Sequence, residues 1–249
     1  MTGVTVQDVA DALERGDHEL VLRLTDGILA RRPGEDAAHE YRARAFLALG
    51  RPDDAEHHAA AAVRLDPDEI RYRELLAQVL SAVGAHRDAA AEFGRLARND
   101  PAQTTWTVAE AQERLGAAQP AMGVDAARRA VRLAPRNGRA QLALSQALAR
   151  TGDARGALAA AMLASQLLPD DSAAREALAD ARWLADEDAA AFAEFHALAA
   201  ALREGDRDRV VAKARILYRQ HAGLPGRILA RIGPIFDFAF SRGWLRVDR

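Results

Sequence analysis

The stretch from Asp36 to Pro67, "DAAHEYRARAFLALGRPDDAEHHAAAAVRLDP", decides how the rest of the chain is read. Small or apolar residues recur at Ala38, Ala43, Ala45, Phe46 and Leu49, a spacing that puts them along a helix. Gly50 ends that helix, because glycine takes the left-handed backbone that a C-terminal cap wants. "RPDD" restarts the chain, with a proline and acids where a helix N-terminus favours them. Ala55, Ala59, Ala62, Val63 and Leu65 mark a second helix, and Pro67 follows its last turn, where the helix cannot continue. The unit is a helix, a tight turn and a second helix.

Its punctuation is repeated along the chain. Prolines stand at 33, 67, 101, 135 and 169, always 34 residues apart. Gly16, Gly50, Gly84 and Gly152 each lie 17 residues before a marker proline. Ala43, Ala77 and Ala111 recur on the first helix, and Ala55, Ala89 and Ala157 on the second. Small side chains at fixed points are needed where two helices cross closely, since an added methylene forces the backbones apart. An Ala-rich chain produces alanine coincidences freely, but 17 glycines and 9 prolines are too few for their joint phasing to be chance. A period in this range is the mark of a stacked array.

These residues resemble the tetratricopeptide repeat. That family carries small residues at its eighth, twentieth and twenty-seventh places, an aromatic near the eleventh, often a glycine at the fifteenth and a proline at the thirty-second. Here they fall on Ala43, Ala55, Ala62, Phe46, Gly50 and Pro67. The unit ending at Pro169 fits through Ser145, Ala157, Ala164, Leu148 and Gly152. The resemblance implies an all-α fold, a right-handed superhelical α-solenoid of helix-turn-helix repeats with C-terminal capping helices. Five units are expected over residues 2–169 and degenerate helices of the same kind over 170–222, broken near Asp186 and Gly205. Residues 223–249 form a C-terminal aromatic segment, a cap on the last repeat or a docking element.

Several places depart from the family pattern. The tryptophan usual at the fourth place is missing throughout, while Tyr72 and Trp106 sit one place earlier. The fourth unit has Ala118 where the turn glycine belongs and Gly116 two places before it, so "GAAQPAMG" predicts a lengthened or shifted turn, with Pro120 opening the next helix. Val21 and Ile28 replace small residues in the first unit, which predicts a looser N-terminal cap.

Composition narrows the functional classes. A chain of 249 residues with 49% hydrophobic content can bury a substantial core, as one long repeat domain or two small globular ones. Net charge is −2, so there is no global basic field to attract nucleic acid. Lys213 is the only lysine, a balance expected from codon bias in a GC-rich bacterial genome rather than from adaptation to phosphate, since an Arg-based anion site would cluster its arginines. Cysteine is absent, excluding disulfides and Cys-based metal or redox chemistry. Neither a signal peptide nor a membrane span is expected, and the default is a soluble cytoplasmic protein. Asp54, His57 and His58 share part of one helix and could present a metal, though surface helices place such residues together routinely. No phosphate loop, nucleophile elbow or zinc-protease motif appears, so neither an enzyme nor a cofactor is expected.

What remains is a surface for another protein or an extended peptide. A solenoid of helix pairs leaves a concave face lined by the first helix of each pair. By the resemblance, the ninth place of the unit points into it, and here it reads Ala10, Arg44, Gln78, Gln112, Gln146 and Asp180. Side-chain amides in register offer both a donor and an acceptor to a peptide backbone. Glu40, Glu74 and Glu176 at the fifth place and Arg71 and Arg139 at the second surround that track. The family's clamp for C-terminal carboxylates needs Lys and Asn at set places, where this chain has Glu40, Arg44, Leu75, Thr105 and Ala109; that specificity is not expected. The C-terminal alternative rests on Ile228, Leu229, Ile232, Ile235, Phe236, Phe238, Phe240 and Trp244. Such a segment suits a cap, a structural or assembly subunit, or a homodimer contact. An accessory role beside a partner enzyme is a further possibility.

Overall fold

The computed structural model describes residues 4–201, 207, 208 and 210–213, the side chains of residues 196 and 200 excepted. They fall in two compact units, divided between Gln119 and Pro120. Each is built only of helices among the described residues. The first holds α1 (Val6–Glu14), α2 (His18–Leu29), α3 (Asp36–Ala48), α4 (Pro52–Leu65), α5 (Ile70–Val83), α6 (His86–Asn99) and α7 (Thr104–Gly116). The second holds α8 (Pro120–Leu133), α9 (Gly138–Thr151), α10 (Ala154–Leu167), α11 (Ser172–Leu184) and α12 (Asp188–Ala201). Within each unit, helices consecutive in the chain pack on one another, the arrangement expected of stacked hairpins.

The period is kept by the backbone more strictly than by the sequence. Second helices open at residues 18, 52, 86, 120, 154 and 188, a step of 34 without exception. A left-handed residue precedes each by two places: Gly16, Gly50, Gly84, Ala118, Gly152 and Asp186, with φ between 55° and 85°. The same paired cap recurs around each one. Gly84 donates to Ser81 and Ala85 to Leu80; Ala118 donates to Leu115 and Gln119 to Arg114; Asp186 donates to Trp183 and Glu187 to Arg182. This closure satisfies carbonyls that the helix end leaves open. The turn at Ala118 is therefore neither lengthened nor shifted, contrary to the expectation from "GAAQPAMG". Alanine simply takes the glycine's conformation, because the flanking helices fix the turn and a lone β-carbon can be forced into it. The period likewise continues past Pro169, where the sequence pattern weakens: α11 and α12 stand one step after α9 and α10.

Alanines mark the crossings. Ala43, Ala55, Ala77, Ala89, Ala111 and Ala157 are all fully buried. The first hairpin is built differently, with bulk at Val21 and Ile28, both buried in a cluster with Val9, Ala12, Leu22 and Phe46. α1 is correspondingly short, 9 residues, and is opened by a reciprocal cap in which Thr5 and Asp8 bond each other's backbone amides.

Candidate functional site

The first helices of the first unit are tied through their polar residues. Glu40 on α3 is buried, and its carboxylate meets Arg44 at 2.9 Å and Arg71 of α5 at 3.7 Å. Burying a carboxylate is costly unless such neighbours surround it. Arg71 stays half-exposed and lies over the Tyr72 ring, 5.0 Å from its centre. Burial opposes its charge, but Glu40, Tyr72 and Glu69 together outweigh that and hold the guanidinium above its ordinary pKa. Burial, then Asp36, pushes the Tyr72 phenol up to about 12, so the ring stays neutral.

One step along, Glu74 on α5 accepts from Trp106 Nε1 of α7 at 3.2 Å. Glu113 on α7 accepts from Ser81 Oγ at 2.6 Å and meets His86 Nδ1 at 2.8 Å. Gln78 lies between Glu74 and Ser81 on the same stripe of α5, four residues from one and three from the other. Gln78 and Gln112 are exposed, and neither has a side-chain hydrogen-bond partner among the described residues.

In the second unit Gln146 is part-exposed on α9, and Arg139 reaches Asp171 at 2.9 Å. Lys213 bridges Glu176 at 2.8 Å and Asp180 at 2.6 Å, joining two neighbouring places of α11. Burial opposes the Lys213 charge, but the hydrogen bonds from its ammonium to Asp180 and Glu176 raise its pKa. Thus Gln78 and Gln112 share the first unit, Gln146 and Asp180 the second. Ile235, Phe236, Phe238, Phe240 and Trp244 lie outside the described residues.

The fourth place of the five units holds Thr5, His39, Arg73, Thr107 and Gln141 in place of the family's tryptophan. The structure puts a hydrogen-bond donor there. His39 Nε2 reaches the Pro33 carbonyl at 3.0 Å, Arg73 Nη2 the Pro67 carbonyl at 2.9 Å and Gln141 Nε2 the Pro135 carbonyl at 2.9 Å. Each bond clips the marker proline to the helix six residues on. The signal was present as three polar side chains in step at 39, 73 and 141.

The histidines of α4 are occupied differently from the metal trio considered above. Asp54 pairs with Arg51 at 2.7 Å, and His58 Nδ1 lies 2.9 Å from His39 Nδ1. Because His39 donates from Nε2 to Pro33, its Nδ1 is the acceptor and His58 carries the proton on Nδ1. The His58 ring also stacks on Phe46, with centres 5.8 Å apart. Burial first, then Arg42, His39 and His57, lowers the His58 pKa to about 4 against the opposing pull of Asp26. Among the described residues no group of three or more His, Cys, Asp or Glu is placed to hold a metal, and no helix is long and apolar enough to cross a membrane.

Comparison with known proteins agrees with this architecture. Residues 12–79 match the model of the tetratricopeptide repeat. A tetratricopeptide repeat protein from Parabacteroides merdae superposes with a TM-score of 0.71 at 12% identity, over 88% of this chain and 91% of that one. MamA from Desulfovibrio magneticus superposes with a TM-score of 0.58 at 16% identity, over 66% of this chain and 92% of that one. Yeast Tom70 does so with a TM-score of 0.58 at 17% identity, over 84% of this chain and 45% of its own. No curated protein matches the chain in sequence.

Proposed function

We propose that this chain, a tetratricopeptide-repeat protein, is a non-catalytic adaptor that holds an extended segment of a protein partner on the first-helix faces of its repeats. One observation carries the reading. Gln78 and Gln112 occupy the same place in consecutive first helices of one unit, exposed and without side-chain partners among the described residues. An unengaged amide can both donate to and accept from a peptide backbone. Arg44 and Arg71 flank that track with part-exposed guanidinium groups, while Glu40 beneath them offsets their charge. Glu74 sits beside it on α5. In the second unit Gln146 holds the equivalent place, with Arg139, Glu176 and Asp180 around it.

The test is co-purification of the tagged full chain from its native host, compared with the variant Gln78→Ala, Gln112→Ala, Gln146→Ala. The variant is expected to lose specific partners at least several-fold while its melting midpoint stays within about 2 °C, as for exposed substitutions. Equal capture by the two proteins would remove the basis for the reading. A second reading, an assembly subunit working through residues 228–244, is favoured by the apolar and aromatic composition of that segment. Deleting residues 224–249 should then give a folded protein that no longer assembles; aggregation or melting after the deletion would identify a cap instead.

A further inference from the structure

We propose that the outer face of α8 is a docking surface for a second copy of this chain, which brings to it the acidic turn between α11 and α12. The starting observation is a segregation of charge. From Arg114 to Gly152 the sequence carries seven arginines and a single acid, Asp125. From Asp170 to Glu194 it carries eight acids and two arginines, Arg175 and Arg182.

The fold turns part of each run outward. On α8, Met122, Asp125, Arg128, Arg132 and Leu133 are all exposed and follow one another at spacings that keep them on one side of the helix, and exposed Arg136 comes just after. Arg128, Arg132 and Arg136 have no carboxylate partner among the described residues. Arg95, an exposed arginine of α6, pairs by contrast with Glu92 at 2.6 Å. Met122 and Leu133 are 48% and 49% exposed. The face therefore carries three arginines without a direct partner among the described residues and a single acid, Asp125, bordered by apolar side chains.

The turn between α11 and α12 of the same unit offers its counterpart. Leu184 is 39% exposed and is followed by Asp186 and Glu187, both exposed. Glu187 reaches Arg182 only at 4.0 Å. Each patch is an exposed leucine beside like charges, and the two signs are opposite. At a net charge of −2 the copies do not repel one another strongly. An anionic membrane is a poorer fit, since α8 offers only Met122 and Leu133 as inserting groups. Because the two patches are different surfaces, the contact is heterologous. Every copy can use both, giving a ring where the rotation closes and an open chain where it does not. Exposed charge contacts are individually weak and screened by salt, so association should depend on protein concentration and on ionic strength.

Sedimentation velocity of the full chain tests this. The wild type should sediment as assemblies that grow with concentration at about 20 mM salt and revert to monomer at about 500 mM. Arg128→Glu with Arg132→Glu should be monomeric under both conditions. So should Asp186→Asn with Glu187→Arg, asparagine being chosen because it tolerates left-handed backbone. Mixing the two variants should restore association, since each keeps the patch that the other has lost. Circular dichroism establishes that both are folded, and the milder pair Arg128→Gln with Arg132→Gln should weaken assembly without reversing charge. Gln78→Ala with Gln112→Ala should leave assembly unchanged, which separates this surface from the proposed adaptor face. A wild type that stays monomeric at every salt concentration overturns the proposal. So does assembly that survives both charge reversals, or a monomer whose α8 arginines bind phosphatidylserine vesicles or polyglutamate instead.

Discussion

Replacing Ala118 by glycine should stabilise the protein, and replacing its neighbour Ala117 should do the opposite. Ala118 holds φ at 55°, in the turn where four other repeats have glycine. Left-handed backbone costs a residue with a β-carbon about 1–2 kcal/mol. Glycine removes that cost but returns about 0.5–1 kcal/mol through the greater freedom of the unfolded chain. Ala118 is exposed, so no buried methyl is lost. The net gain is about 0.5–1 kcal/mol, an upward shift of roughly 1–4 °C in the melting midpoint for a chain of this size. Ala117 has φ −74° and stands outside the left-handed region, so Ala117→Gly brings only the entropic loss, about 0.5–1 kcal/mol. Urea denaturation followed by circular dichroism measures both. Shifts of the same sign in the two variants would refute the idea that the helices on either side impose the turn on an ill-suited residue.

Two further outcomes are expected. Gly138→Ala should destabilise by about 1–3 kcal/mol, because the new methyl would lie 2.5 Å from Leu168 Cγ, whereas Gly34→Ala meets Leu65 at an ordinary 3.7 Å and should change little; thermal melts separate the two. Stability should also fall in acid through His58. Its pKa of about 4 lies below the ordinary 6.5, so its contribution is complete above about pH 6.5 and is lost as pH falls towards 4. After discounting for the water that reaches this half-buried ring, the loss is about 1–2 kcal/mol. Unfolding at pH 7.5 and 4.5 should show a smaller difference for His58→Phe, which keeps the stack on Phe46; an undiminished difference would assign the acid sensitivity elsewhere.

The legibility of the fold follows from how local its punctuation is. A helix stop at Pro67 and a left-handed cap at Gly50 are imposed by backbone sterics within a few residues, so they can be read from the chain alone. The periodic donors at His39, Arg73 and Gln141 were also in the sequence, but their acceptors are main-chain carbonyls that every residue possesses, and only the folded loop selects which one is reached. The polar places on the first helices were less legible still. Glu40 reads as a surface charge until α5 brings Arg71 beside it, 31 residues later. Glu74 likewise gains its partner only when α7 delivers the indole of Trp106.

By itself, then, the sequence determined the helix pair, its length and the step at which it is copied, because glycine, proline and small residues act through the conformations open to their own backbone. Tertiary structure decided the rest. Stacking made Ala118 and Asp186 adopt a glycine's conformation, and it turned Glu40 and Glu176 into ties between elements while leaving Gln78 and Gln112 unengaged. Such choices depend on distances between helices far apart in the chain, and the energy of packing two helices together exceeds the preference of any single residue at their junction.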